Sequence, residues 1–176
     1  MKLTTQRILY ILLLLLFFVL GQLSVTLIDR CKAGEIKPNI PANQDEIIQI
    51  ANNYLTTASY SEEGLIKALH EYEYFDEDAT KEAVASLNID WEKQAEKEIN
   101  EYLHMDGYSE KELRKLLKKD LFKEKDINKA METVSPDWHE QAMRKKEMLL
   151  DSGVSENLII PTLLNNGFTK EDITDL

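Results

Sequence analysis

The sequence is poor in cysteine and glycine, and both shortages exclude classes of protein. Cys31 is the only cysteine among 176 residues, so the chain cannot form an intramolecular disulfide and its fold must depend on packing alone. This excludes a disulfide-stapled scaffold, although it does not exclude an extracellular location. The six glycines are scattered and form no phosphate-binding loop.

The chain also lacks a recognisable catalytic or metal-binding constellation. His70, His104 and His139 are its three histidines, and no cysteine lies at ligand spacing from any of them. His139 and Glu140 are not followed by the second histidine of a zinc-binding helix. The sequence therefore predicts no enzyme, no catalytic residue, no metal, no cofactor and no small-molecule substrate.

Basic residues are scarce beyond the N-terminus. Residues 1–37 carry five of the 21 lysines and arginines and two of the 32 acidic residues, which leaves a balance of −14 for residues 38–176. A body of this charge is repelled by phosphates and by anionic lipid headgroups. We therefore expect no nucleic acid partner.

The N-terminal segment is the one long apolar run. Residues 8–28 contain no charge, and 21 residues in a helix span about 31 Å, which matches a bilayer core of about 30 Å. We assign residues 1–31 as a membrane anchor. Two alternatives stay open: an uncleaved spanning helix, or lipid attachment at Cys31, against which Arg30 argues because lipoprotein processing needs a small residue before the cysteine.

Residues 32–44 form a predicted stalk between the anchor and the body. Gly34, Pro38 and Pro41 are unfavourable within a helix. Flanking basic residues barely discriminate the membrane orientation. A basic head followed at once by an apolar run favours an inside N-terminus, so we expect a cell-membrane, single-pass protein with an extracellular C-terminal domain.

The body is an internal repeat with a period near 47 residues. Residues of the same type recur in register at steps of 46 to 48, which marks duplicated helical units. The recurring sets are Asp90-Trp91 and Asp137-Trp138; Tyr60-Ser61-Glu62 and Tyr108-Ser109-Glu110; Leu65 and Leu69, Leu113 and Leu117, Ile159 and Leu163; and Phe75, Phe122 and Phe168. The predicted units are residues 45–89, 90–136 and a truncated 137–176.

Each full unit is predicted to contain three helices. The first has an apolar stripe, as in Ile47, Ala51 and Tyr54. The second begins at a serine N-cap, and the third follows the recurrent phenylalanine. The serine caps are Ser61, Ser109 and Ser155, with Glu112 completing a capping box after Ser109.

Two prolines modify this pattern. Ser135-Pro136 is interpreted as a capping serine with proline at the first helical position. Pro161 lies inside the serine-capped helix of the third unit, which we expect it to kink or shorten. The fold class is therefore all-α, with an N-terminal transmembrane helix followed by two full and one truncated three-helix repeats.

The recurrent tryptophans, phenylalanines, leucines and alanines lie at core spacing and are expected to form the core. The tyrosines are ambiguous, since an exposed tyrosine cluster suits partner binding. These residues are Tyr54, Tyr60, Tyr72, Tyr74, Tyr102 and Tyr108. The contact face itself is not predicted.

The motif resembles a known family. Tyr60-Ser61-Glu62-Glu63-Gly64-Leu65, Leu69, Phe75, Ala83-Val84 and Asp90-Trp91 are similar to the helix-turn-helix-like repeat of Ltp-type host cell surface-exposed lipoproteins. The resemblance covers residues 45–176 and implies superinfection exclusion: a surface-exposed protein that blocks phage DNA injection by engaging the tail tape-measure protein. The sequence departs from the lipoprotein pattern at Asp29-Arg30-Cys31.

The helix-turn-helix label does not imply DNA binding here. A recognition helix needs basic residues that face phosphates. Glu62, Glu63 and Glu110 instead make the second helices acidic. The basic run Arg114-Lys115 with Lys118-Lys119 is interpreted as a solvated face, with a spot for an acidic protein partner as the alternative. One alternative function is an envelope-docking interaction module with no phage role. A second alternative is a membrane-bound regulator with a cytosolic domain, which would need the opposite topology.

The topology can be tested directly. We expect protease added to intact spheroplasts to degrade residues 45–176, because the body is predicted to lie outside the membrane. A cytosolic marker protein serves as the control for membrane integrity. Protection of the body until the membrane is lysed would favour the cytosolic regulator.

Overall fold

The computed structural model describes residues 43–176, and this part of the chain is all-α as predicted. It contains eight helices and no β-strand within those residues. In chain order they are α1 (Gln44–Thr57), α2 (Glu62–Tyr72), α3 (Glu77–Ser86), α4 (Trp91–Met105), α5 (Glu110–Lys119), α6 (Glu124–Val134), α7 (Trp138–Asp151) and α8 (Glu156–Asn166). The predicted anchor at 8–28 and Cys31 lie outside this range. No helix between residues 43 and 176 has the length and apolar character needed to cross a bilayer.

The helices pack as two groups of three and a final pair, each around its own core. Helices α1 to α3 contact one another, as do α4 to α6, and α7 packs on α8. The predicted leucine and phenylalanine positions are buried in all three groups. The cores contain Leu65, Leu69 and Phe75; Leu113, Leu117 and Phe122; and Ile159, Leu163 and Phe168.

The tryptophans differ from the expected full burial. Trp91 and Trp138 are only half-buried, and each stands at the start of the first helix of its group. Trp91 packs on the core of α1 to α3, and Trp138 packs on the core of α4 to α6. Each tryptophan therefore joins its group to the core that precedes it in the chain.

The first helices are capped by side chains spaced 47 residues apart. Asn43 precedes α1, Asp90 precedes α4 and Asp137 precedes α7, and each accepts a hydrogen bond from a backbone N–H of the first turn. The predicted Ser135-Pro136 cap is wrong. Ser135 instead ends α6 in a left-handed conformation (φ 46°). The N-cap of α7 is Asp137, whose carboxylate accepts a hydrogen bond from the Glu140 N–H at 3.0 Å.

The serines that begin α2 and α5 make two hydrogen bonds of different kinds. Ser61 Oγ accepts from the Gly64 N–H at 3.0 Å, as an N-cap does, and its hydroxyl donates to the Asp120 carbonyl at 2.7 Å. Ser109 Oγ accepts from the Glu112 N–H at 3.1 Å and donates to the Asn166 carbonyl at 2.7 Å. The predicted capping box at Ser109 is confirmed. Each serine thus caps its own helix and binds the end of the corresponding helix in the next group.

The third serine behaves differently. Ser155 precedes α8, but its side chain makes no capping bond, so that part of the prediction is wrong. Ser155 is exposed, and no later helix of the described chain lies beside it. Pro161 does not shorten α8, which at 11 residues equals α2. Residues 170–175 form turns that bury Ile173 against the last core.

A recurrent backbone kink ends each second helix. Tyr74, Leu121 and Gly167 all have positive φ, at 60°, 64° and 98°, and each directly precedes a buried phenylalanine. The N–H of Phe122 then bonds to the Leu117 carbonyl at 3.0 Å, which satisfies one of the unpaired carbonyls at the helix end. This turn aims the carbonyls of Asp120 and Asn166 at the capping serines.

The double role of the serines can be tested by truncation. We expect Ser109→Ala to lower the free energy of unfolding by about 2 kcal/mol, since it removes an N-cap bond and leaves the partly buried Asn166 carbonyl without its donor. Ser155→Ala is the matched control and should change stability by less than about 0.5 kcal/mol. Urea denaturation measures both values. Equal losses at the two serines would contradict the bond between groups.

Candidate functional site

A cleft of about 410 Å³ opens where the first group of helices meets the second, at a place we call the first junction. Helix α2 forms one wall, and α4 with the end of α5 forms the other. The polar and aromatic side chains that line it are Ser59, Tyr60, Ser61, Lys67, Glu71, Tyr72, Glu98, Lys119, Asp120 and Phe122. The bond between Ser61 and the Asp120 carbonyl closes the floor.

Two features bring the walls together. Gly64 lies beside the floor, and a Cβ there would be 3.4 Å from the Asp120 carbonyl oxygen and 2.8 Å from Ser61 Oγ. Lys123 at the start of α6 forms an ion pair with Glu62 at the start of α2. The cleft is therefore bounded by direct contacts between the groups.

The tyrosines form two equivalent pairs. The ring centroids of Tyr54 and Tyr60 are 5.6 Å apart, and those of Tyr102 and Tyr108 are 5.8 Å apart. All four are half-buried. Tyr72 is the exception, because 70% of its surface is exposed at the rim of the cleft.

In each pair, the tyrosine of the first helix donates a hydrogen bond to a carboxylate at the end of the second helix of the same group. Tyr54 Oη lies 2.8 Å from Glu73 Oε1, and Tyr102 Oη lies 2.5 Å from Asp120 Oδ2. Burial and the bond to Glu73 raise the pKa of Tyr54 to about 12. Burial and the bond to Asp120 raise the pKa of Tyr102 as well. Both hydroxyls therefore remain donors, and Asp120 is held in place from below the cleft.

Glu98 is the unusual group of the cleft. Burial raises its pKa to about 7, and the negative charges of Asp120 and Glu101 add to the increase, while the neighbouring Tyr102 hydroxyl opposes it. Glu98 also faces Tyr60, whose pKa is raised chiefly by burial and also by the charges of Tyr72 and Glu98. The cleft thus holds two close carboxyl groups beneath tyrosine rings.

The second junction, between the second group and the final pair, is built alike but is closed. Lys145 stands 47 residues after Glu98 and takes its place on α7. Its Nζ lies 2.8 Å from Asp106 Oδ2 and 5.6 Å from the centroid of the Tyr108 ring. A Cβ on Gly107 would lie 2.4 Å from the Gln141 carbonyl oxygen, so only glycine allows α7 to approach this closely.

The basic run of α5 is engaged in ion pairs within its own group. Arg114 Nε lies 2.8 Å from Glu110 Oε1, and Lys118 Nζ lies 2.8 Å from Glu124 Oε2. These exposed pairs favour the interpretation as a solvated face. Lys119 instead lines the cleft.

The histidines contact backbone carbonyls. His70 Nδ1 lies 2.7 Å from the Phe75 carbonyl oxygen, and His139 Nδ1 lies 2.9 Å from that of Asp172. His104 Nδ1 lies 2.5 Å from the carbonyl oxygen of Asn100. Among the described residues, no group of three or more metal-ligating side chains is placed to hold a metal ion. The arrangement of the cleft suits binding of a charged group.

Sequence reasoning identified the tyrosines but missed Glu98 and Asp120. A signal for Glu98 was present, since the repeat aligns it with Lys145 and the charge is reversed between otherwise matching units. Asp120 carried no such signal, because its role depends on the turn that ends α5.

Comparison of the chain with known family models, curated proteins and solved structures found no match in any of the three. Its site is therefore interpreted from its own residues.

The unusual state of Glu98 predicts a pH-dependent stability. A carboxyl whose folded pKa of about 7 exceeds its ordinary value of 4.5 stabilises the fold below 4.5, and this stability is lost as the pH rises through 7. Glu98→Gln should therefore be more stable than the wild type at pH 8, by about 1 kcal/mol after allowance for solvent screening of a half-buried group. At pH 4 the two proteins should be nearly equal.

Thermal and urea denaturation across pH 4 to 8 measures this difference. Glu82→Gln, on the exposed face of α3, is the matched control and should show no such pH-dependent gain. A constant difference between Glu98→Gln and the wild type at every pH would contradict the assignment.

Proposed function

We propose that this protein is a membrane-tethered, surface-exposed binding protein that excludes superinfecting phage. It would engage the tail tape-measure protein of the phage and so block injection of the phage DNA. The observation that carries the binding role is the cleft at the first junction, which is open and acidic and has Tyr72 at its rim. A largely exposed tyrosine beside carboxylates is the kind of group that anchors protein interfaces.

Charge supports a protein partner that is basic or elongated. The balance of −14 over residues 38–176 attracts such a chain at long range and repels nucleic acid. Salt weakens this attraction, because its range is about 8 to 10 Å at physiological ionic strength. A tape-measure protein is a long helical chain, and it presents many side chains in succession to a site that is fixed at the membrane.

The tether supports the same role. Residues 8–28 are predicted to cross the membrane, and the stalk that follows could hold the body up to about 40 Å from the surface. The resemblance of the repeat to the Ltp-type family supplies the phage partner. In the proposed mechanism, the body binds the emerging tail component and thereby prevents formation of the DNA channel.

The proposal predicts a specific stage of arrest. Cells that express the full chain should adsorb phage normally but should receive less phage DNA, because the block follows attachment. Tyr72→Ala should restore DNA entry at least in part, since it removes the exposed aromatic from the rim of the cleft. Adsorption assays and measurement of intracellular phage DNA provide the two readouts.

Met105→Ala is the matched control, because Met105 on α4 is 67% exposed, lies outside the lining of the cleft and should leave exclusion intact. Reduced adsorption, or unchanged DNA entry, would contradict the proposal. Recovery of a stable envelope partner from uninfected cells would then favour the envelope-docking module.

A further inference from the structure

The two junctions of the chain share a tyrosine pair and a capping serine, and they carry opposite charges at the position of Glu98 and Lys145. In both, a tyrosine that precedes the capping serine packs on the tyrosine of the first helix. In both, the first helix of the following group presents a long polar side chain to that ring. At the second junction this side chain is Lys145, and at the first it is Glu98.

The second junction shows that a lysine side chain can pack against the tyrosine that precedes the capping serine. The Lys145 ammonium lies against the face of Tyr108 and bonds to the Asp106 carboxylate, with both the lysine and the aspartate largely shielded from solvent. A cation over a tyrosine ring is attracted by the negative face of the ring, and a carboxylate strengthens the contact. The junction is thus completed by a cation that the chain itself supplies.

The first junction keeps the tyrosine pair, but Ala58 takes the position of Asp106, so the carboxylate that Lys145 binds has no counterpart there. No lysine stands at the position of Lys145. Glu98 stands there beside Asp120, and the cleft remains open in front of Tyr60. Two lysines reach the rim. Lys67 is already near Glu71, at 4.0 Å, and Lys119 lies on the α5 wall.

We propose that the first junction is a socket for a lysine or arginine side chain of the protein partner, which inserts against Tyr60 and pairs with Glu98 and Asp120. The proposal rests on the proposed function only in taking the partner to be a protein. It specifies the contact: one cationic side chain on an elongated basic partner, flanked by Tyr72 at the rim.

Burial and charge both favour an incoming cation. Desolvation and the neighbouring carboxylates raise the pKa of Glu98, which means that the empty cleft disfavours its ionised form. A bound ammonium or guanidinium offsets the repulsion between Glu98 and Asp120. Tyr102 holds Asp120 in position through a 2.5 Å hydrogen bond, so one of the two carboxylates is oriented before the ligand arrives.

A pair of small probes tests the socket. N-acetyl-lysine methylamide should bind the full chain and shift the NMR signals of Tyr60, Tyr72 and Asp120, while those of Tyr108 stay in place. N-acetyl-norleucine methylamide, which lacks the ammonium, should bind at least about tenfold more weakly, the loss expected for one good ionic contact. Equal binding of the two probes, or shifts centred on Tyr108, would overturn the proposal.

The chain offers its own blocking variant. Glu98→Lys reproduces the residue of the second junction, so its ammonium should occupy the socket and weaken binding of the lysine probe by at least about tenfold. Glu82→Lys makes the same charge change on α3, outside the cleft, and should keep most of the affinity. If Glu98→Lys fails to fold, Glu98→Gln takes its place and should weaken binding several-fold. Unchanged affinity in a folded Glu98 variant would overturn the socket.

The tests of the socket and of the proposed phage exclusion can fail independently of each other. Normal phage exclusion by cells that carry Glu98→Lys, together with no binding of the lysine probe to the wild type, would remove the socket and leave exclusion standing. Binding of the probe at Tyr60 in a protein that does not exclude phage would support the socket and remove the phage role.

Discussion

The hydrogen bond from a capping serine to the carbonyl at the end of a helix in the next group is the contact on which the described structure depends. Ser61 and Ser109 each satisfy an N–H of their own helix and a carbonyl of the following unit. A helix end has unpaired backbone groups that must find partners when they are buried. One hydroxyl therefore links the start of one helix to the end of another and sets the stacking of the units.

This contact also creates the cleft. Because Ser61 binds the backbone of Asp120, the end of α5 is held against α2 while the side chain of Asp120 turns toward Tyr102 and Glu98. The same geometry at the second junction brings α7 close enough for Lys145 to cover Tyr108. One repeated framework thus produces two different junctions, which differ in the charge at Glu98 and Lys145 and in the close approach that Gly107 allows at the second.

The open junction connects the fold to the proposed role. A stack of packed helical units suits capture of an elongated chain, since its binding groups are preorganised and little ordering is needed on association. Acidity over the whole body guides a basic partner, and the cleft would supply a local contact. The end of the stack at α8 lacks the corresponding link, as the exposed Ser155 shows.

The all-α class, the register of the repeat and most core positions could be predicted from the sequence, because they follow from periodicities of 3.6 and of about 47 residues. Leu65, Leu113 and Ile159 recur at those steps and are buried. Local hydrogen-bond chemistry also predicted the capping box at Ser109. It failed at Ser135-Pro136, where the neighbouring Asp137 supplied a better cap.

Sequence alone determined which residues are apolar, how they recur and where helices can begin, since these depend on near neighbours. Only the tertiary structure decided that Ser61 reaches a carbonyl 59 residues away and that Glu98 lies beside Asp120. Such contacts depend on how two helices of different units approach each other. That approach is set by packing between units, and the recurrence of residue types does not give the distances between their side chains.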